Sequence, residues 1–327
     1  MKGHLGIAHL YIVPQHWTIF RLKSLILWFT LYFFVILYNS NQGSRSLARQ
    51  GHGNKLTYYD WGATPFFVLQ ADPRVSYCLY VPESYEESGT QDYDLIVLMH
   101  GTERGAATYR DKFADFAADH NCIVLAPLFP VGLAGPGDLD SYKLIRFGGF
   151  EFDHLLLAMV DEVAEKYRLK SRRFMLHGFS GGGHFAHRFL YFHPDRLQAV
   201  SIGAPGVVTL LDEERDWWVG VRDIKDRFGV QIDMNALQAV PVQMVVGSQD
   251  TQTWEITIPE DSAWWKEGAN AAGATRIERL RSLEASFEAQ GVGAQFDLIP
   301  DITHEGWAPV LLSKVRTFFQ STLRRQG

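Results

Sequence analysis

Short, almost wholly apolar runs alternate with segments of helical periodicity along most of this chain. The runs are too short for helices and end in Gly, Pro, Asp or Asn, so they predict strands at 66–69, 75–81, 95–100, 122–128, 173–177, 199–203, 242–246 and 295–299. Between them, Leu155, Leu156, Met159, Val160, Val163 and Tyr167 form one helical stripe. A second stripe, Ile277, Leu280, Leu283 and Phe287, closes at Gly291 in a C-cap position. Phe185, Phe189 and Phe192 mark a third helix, stopped by His193-Pro194. Strands alternating with helices predict an α/β fold, a mostly parallel central sheet with helices on both faces. Two longer insertions interrupt the alternation, at 131–150 and at 206–239. Both leave the carboxyl ends of strands, where α/β sheets hold their ligands, and are expected either to form a small partial lid or to be ordinary surface elaboration.

The amino-terminal part follows another pattern. Residues 25–38 are almost unbroken apolar sequence behind Arg21 and Lys23, and 40–54 is a polar, Gly-containing linker. The expected division is therefore 1–45 as a signal or anchor segment with its linker, and 46–327 as the catalytic domain. The apolar length suits a signal-peptide core, while extension back to Ile19 approaches a span, so residues 19–38 offer a membrane contact. Secretion or membrane anchoring is the expectation, and a cytoplasmic location the alternative if synthesis starts near Ser44.

Composition adds exclusions. The 327 residues are 46% apolar and 21% charged, an ordinary globular balance, and show no internal repeat. A net charge of −6 gives no basic surface for nucleic acid. Cys78 and Cys122 both lie in apolar runs and read as buried thiols, with a disulfide between them left open. There is no CxxC or HExxH pattern, so neither metal nor cofactor is expected. Oligomeric state is not encoded in any of these features.

The chemistry centres on Gly178-Phe179-Ser180-Gly181-Gly182, directly after the apolar run Phe174-Met175-Leu176 and before a helical pattern. A Gly-x-Ser-x-Gly match alone arises by chance. In a strand–turn–helix context it is the sharp turn that projects a nucleophilic hydroxyl, with small neighbours letting strand and helix pass. Such a serine needs a base oriented by a carboxylate. Asp250 follows the strand at 242–246 and His304 follows the last strand, giving the order Ser, Asp, His along one sheet edge. Asp301 is an alternative carboxylate for His304, and His177, His184 and His187 are rival imidazoles near the serine. His184 and His187, three apart, read as polar helix positions rather than a metal pair, for want of a third ligand. The two oxyanion donors are expected to be the amides of Gly181 and of Thr102, with Glu103 the alternative to Thr102. Trp217 and Trp254 are expected to line an acyl pocket, against the commoner role of such rings in core packing.

From about Ser76 onward the sequence resembles the esterase branch of the α/β-hydrolases that includes polyhydroxybutyrate depolymerases and feruloyl esterases. The segments that carry the resemblance are 95–101, 161–167, 173–182, 194–197, 246–251 and His304-Glu305-Gly306-Trp307. It implies hydrolysis of a carboxylic ester through an acyl-enzyme, without cofactor, with Ser180 as nucleophile, Asp250 as acid and His304 as base. Members of that branch with several disulfides or a polymer-binding domain differ from this chain, which points to a small or medium ester. A peptidase or acyltransferase would use the same residues, and a non-catalytic binding protein on the same fold is the reading from another class.

Overall fold

The computed structural model describes residues 56–326, so the expected signal or anchor segment and its linker lie outside the described residues. Nine strands form one sheet: β1 (Gly62–Ala63), β2 (Phe67–Val68), β3 (Ser76–Val81), β4 (Tyr93–Met99), β5 (Cys122–Leu128), and then β8 (Leu169–Phe179), β9 (Leu197–Gly203), β10 (Val242–Gly247) and β11 (Ala294–Ile299). Strands β6 (Arg146–Phe147) and β7 (Phe150–Glu151) make a separate hairpin inside the first insertion. The spatial order is β1-β3-β5-β4-β8-β9-β10-β11, with β2 also on β3. From β5 to β11 every neighbouring pair is parallel, and only β1, β2 and β3 run antiparallel to their partners. The expected mostly parallel sheet is what forms.

Its central strands explain why the apolar runs lack alternation. All seven residues of β4 and of β9, and all six of β10, are buried, as strands covered on both faces must be. The edge strand β11 is only partly covered and mixes exposed with half-buried positions. Two departures from expectation stand out: β1 was not among the expected strands, and β8 begins at Leu169 rather than 173. Its first half carries Lys170, Arg172 and Arg173, whose polarity hides the strand, yet Lys170 is held across the sheet by Asp94 at 2.6 Å.

Eight helices fill the connections: α1 (Ala106–Lys112), α2 (Ala114–Asp119), α3 (Phe152–Lys166), α4 (Gly181–Phe192), α5 (Ile224–Phe228), α6 (Met234–Gln238), α7 (Arg276–Ala289) and α8 (Pro309–Gln326). The three helical stripes fall on α3, α7 and α4, with Tyr167 just beyond the end of α3. Every residue of α4 is buried, which happens when a helix is enclosed by sheet on one side and by further chain on the other. A third insertion, between β10 and α7, was not anticipated; 251–275 has turns but no regular element. None of the described helices is long and apolar enough to cross a membrane.

Both cysteines are free and buried. Cys78 on β3 faces Ala126 of β5, four residues along from Cys122 and therefore about 13 Å away, beyond disulfide reach.

Candidate active site

Four loops leave the carboxyl ends of β4, β8, β10 and β11, and they carry Thr102, Ser180, Asp250 and His304 respectively. Ser180 has φ +56° and ψ −118°, a conformation that L-residues adopt only when their surroundings impose it. The glycines around it allow the turn to pack. A Cβ on Gly178 would collide with the Gly182 carbonyl, and one on Gly182 with the Met99 carbonyl of β4. Gly183, one residue further, abuts the Gly203 carbonyl in the same way. The start of α4 thus lies directly on the backbone of three strands, and the serine projects from the junction.

Asp250 is buried, and its Oδ2 is 2.6 Å from Nδ1 of His304. The rival carboxylate is turned elsewhere: Asp301 is exposed, its amide donates to Ser248 Oγ at 3.0 Å, and its side chain meets Gln249. The rival imidazoles are likewise committed. His177 is buried within β8 with Nδ1 3.0 Å from Ser201 Oγ. His184 Nε2 accepts the amides of Gly206 and Val207, and His187 Nε2 accepts the amide of Thr209. Burial lowers the pKa of all three, to about 4 for His177 and well below the usual histidine value for His184 and His187. The helical histidine pair is therefore neutral and pins the second insertion onto α4, with no lone pair left for a metal.

Among the described residues, Asp153, His154 and His193 bring possible ligand atoms within 4.8 Å of one another. The Arg146 guanidinium already binds Asp153, with Nη2 to Oδ2 at 2.8 Å, and a fixed cation there opposes a divalent ion.

The amides expected to face an oxyanion are adjacent. A Cβ built on Gly181 would lie 3.2 Å from the Thr102 nitrogen, and it would collide with the Tyr142 hydroxyl. The Thr102 amide donates to no backbone or side-chain acceptor among the described residues. Its loop is anchored by buried His100, whose Nδ1 donates to the Gly101 carbonyl at 2.8 Å while Nε2 accepts the Phe129 amide at 3.1 Å. Burial lowers the His100 pKa to about 3, so the ring is neutral in this bridging role.

Ser180, Thr102 and Glu255 border two hollows. The smaller, about 150 Å³, contains His304 with Tyr109, Phe179 and Trp307. Tyr109 and Trp307 pack with their rings tilted at 42° and a 4.0 Å centroid separation, and Gly105 leaves the space that the Trp307 ring needs. The larger, about 280 Å³, is walled by all three insertions: Leu139 and Leu144, Val207 and Trp218, Ile256 and Trp264. The lid expected at 131–150 and 206–239 thus does border the serine.

The expected pocket tryptophans do not line either hollow. Trp254 is 75% exposed. Trp217 is buried between Phe192 and Phe228, at 5.6 and 5.5 Å, as a packing residue. Their neighbours Trp218 and Trp264 take the wall positions instead. Sequence reasoning also missed Arg276. It is buried at the first position of α7, where Nη1 reaches Asp250 Oδ1 at 3.2 Å and Nη2 reaches Glu255 Oε2 at 2.5 Å. One signal was available, since Thr275-x-x-Glu278 is a capping box that fixes where α7 begins.

No protein-family model and no curated protein matches this sequence. Solved structures are similar in fold. A poly(aspartic acid) hydrolase from Sphingomonas sp. KT-1 is 21% identical, with 78% of this chain and 97% of that chain covered and a TM-score of 0.59. A poly(3-hydroxybutyrate) depolymerase from Bordetella parapertussis is 24% identical, with 77% and 88% covered and a TM-score of 0.59. An S-formylglutathione hydrolase from Agrobacterium tumefaciens is 14% identical, with 84% and 99% covered and a TM-score of 0.56.

Proposed function

We propose, on the premise that this chain has the α/β-hydrolase fold, that it is a serine hydrolase cleaving a small or medium carboxylic ester through an acyl-enzyme. The observation that carries the reading is the pairing of buried Asp250 with His304 at 2.6 Å, in a loop whose imidazole shares a hollow with the strained Ser180. In this mechanism Ser180 Oγ attacks the ester carbonyl as His304 Nε2 takes its proton. Asp250 holds the Nδ1–H tautomer and stabilises the imidazolium. The Gly181 and Thr102 amides receive the negative charge that develops on the carbonyl oxygen. His304 returns the proton to the leaving alcohol, and a water activated by the same imidazole then releases the acid.

The two hollows meeting at Ser180 suit the two halves of an ester, one for the acyl group and one for the alcohol. Peptide hydrolysis and acyl transfer use the same groups, and activity on amides, or faster turnover with an alcohol than with water, would mark them. A non-catalytic binding role is the alternative from another class. Labelling with a fluorophosphonate probe separates it: the expected result is modification at Ser180 that is lost in Ser180→Ala. A folded protein that takes no label at any concentration would overturn the hydrolase reading in favour of binding.

A further inference from the structure

Arg188 lies on α4 eight residues after Ser180, and both line the larger hollow. It is completely buried. Its Nε donates to Thr209 Oγ1 at 2.9 Å and its Nη1 to the Lys143 carbonyl, while Nη2 has no hydrogen-bond partner among the described residues. No carboxylate among the described residues pairs with it, and burial pulls its pKa down to about 9. The other cations of this region are compensated. Lys143 meets Asp140 at 2.5 Å, and Arg276 meets Asp250 and Glu255. Buried Arg279 also lacks a carboxylate, but it directs its donors to the oxygens of Gly273, Gly206, Ile256 and Asn270, and lies off the hollow. The lining therefore holds three cations, Lys143, Arg188 and Arg276, against two carboxylates, Asp140 and Glu255. His184 adds no charge, because its Nε2 is occupied as an acceptor.

We infer that the larger hollow binds an organic carboxylate carried by the substrate at its end remote from the scissile carbonyl, with Arg188 supplying the counter-charge. The inference rests on the ester-hydrolase reading for the reaction, but the anion site itself does not. A buried guanidinium without a counter-charge is costly, and the unmatched Nη2 can donate to a carboxylate oxygen. The apolar walls suit the carbon chain between carboxylate and ester. Eight residues of helix amount to about 12 Å, and arginine side chains lean back toward the helix start, so the anion sits within about that distance of Ser180.

The test compares mono-4-nitrophenyl suberate with 4-nitrophenyl octanoate, using the full chain and its Arg188→Met and Arg188→Lys variants. We expect the wild-type kcat/KM ratio of anionic to neutral ester to exceed about tenfold, to collapse toward one in Arg188→Met, and to survive in part in Arg188→Lys. Calorimetric titration of suberate into Ser180→Ala should show binding that is lost when Arg188→Met is added. A wild-type ratio at or below one would overturn the inference. So would a parallel loss on both esters in Arg188→Met, the mark of a mere clamp between Thr209 and Lys143. Octylphosphonate binding more tightly than suberate would overturn the carboxylate assignment. If neither ester is cleaved while suberate binds through Arg188, the hydrolase reading fails and the anion site stands. Cleavage of both esters without preference, and without suberate binding, gives the reverse.

Discussion

Gly181 shows how little freedom the site leaves to single residues. Its Cα faces the Tyr142 hydroxyl and the Thr102 amide, so even one methyl group must displace the first insertion. Gly181→Ala is expected to lower kcat/KM about tenfold or more, since losing one oxyanion donor typically costs about 10²–10³. Tyr142→Phe, by removing the hydroxyl that the new methyl meets, should recover part of that loss in a double-mutant cycle; additive losses would show that the collision is not the cause. Asp250→Asn is expected to reduce turnover by about 10³–10⁴ while leaving KM nearly constant, because the amide favours the wrong His304 tautomer. Steady-state kinetics on one activated ester would check it, and a drop below tenfold would remove Asp250 from the mechanism. At this scale Ser180, Asp250 and His304 were legible in the sequence, since each follows a recognisable strand in chain order. Arg188 and Arg276 were not, because an arginine on an amphipathic pattern looks the same whether it faces solvent or a cavity.

Helix α4 is the element on which the others depend. Gly182 and Gly183 seat it against strand carbonyls, and its His184, His187 and Arg188 hold the loops that cover it. Gly182→Ala pushes a methyl into the Met99 carbonyl. Backbone on both sides cannot yield easily, so a destabilisation of about 3 kcal/mol is expected, at the upper end of overpacking costs, read from the denaturant midpoint. Helix α7 offers a gentler test. Thr275 Oγ1 accepts the Glu278 amide at 3.2 Å. Thr275→Ala should cost about 1 kcal/mol, and because Arg276 is the next residue, kcat should fall more than that stability loss implies. The expected stability loss with unchanged kcat would show that the start of α7 does not position Asp250. Strands β4, β5, β9 and β10 were predicted closely because burial on both faces leaves a compositional trace. The 251–275 insertion left none, since its order comes from contacts with α7 rather than from its own periodicity.

Across the whole molecule, four buried histidines, His100, His177, His184 and His187, share one thermodynamic consequence. Burial holds their pKa values below the unfolded value of about 6.5, to about 3 for His100 and about 4 for His177. Below pH ~6.5 the unfolded chain binds protons that the native fold refuses, so their stabilising effect is complete above that pH and is lost as pH falls toward the folded values. Each such group contributes a slope of up to about 1.4 kcal/mol per pH unit. Urea titrations between pH 7 and pH 4.5 should show stability falling steeply, and a flat profile would mean that these rings are protonated in the native state. By itself the sequence determined the alternation of strands and helices, the parallel sheet and the loops that carry Ser180, Asp250 and His304, because those features are set by local apolar pattern and chain order. Only the tertiary structure decided which tryptophans wall the cavity, that Asp250 rather than Asp301 meets His304, and that Arg188 is left without a counter-charge. Those outcomes depend on which distant groups become neighbours once the three insertions close over α4, and no local pattern encodes that proximity.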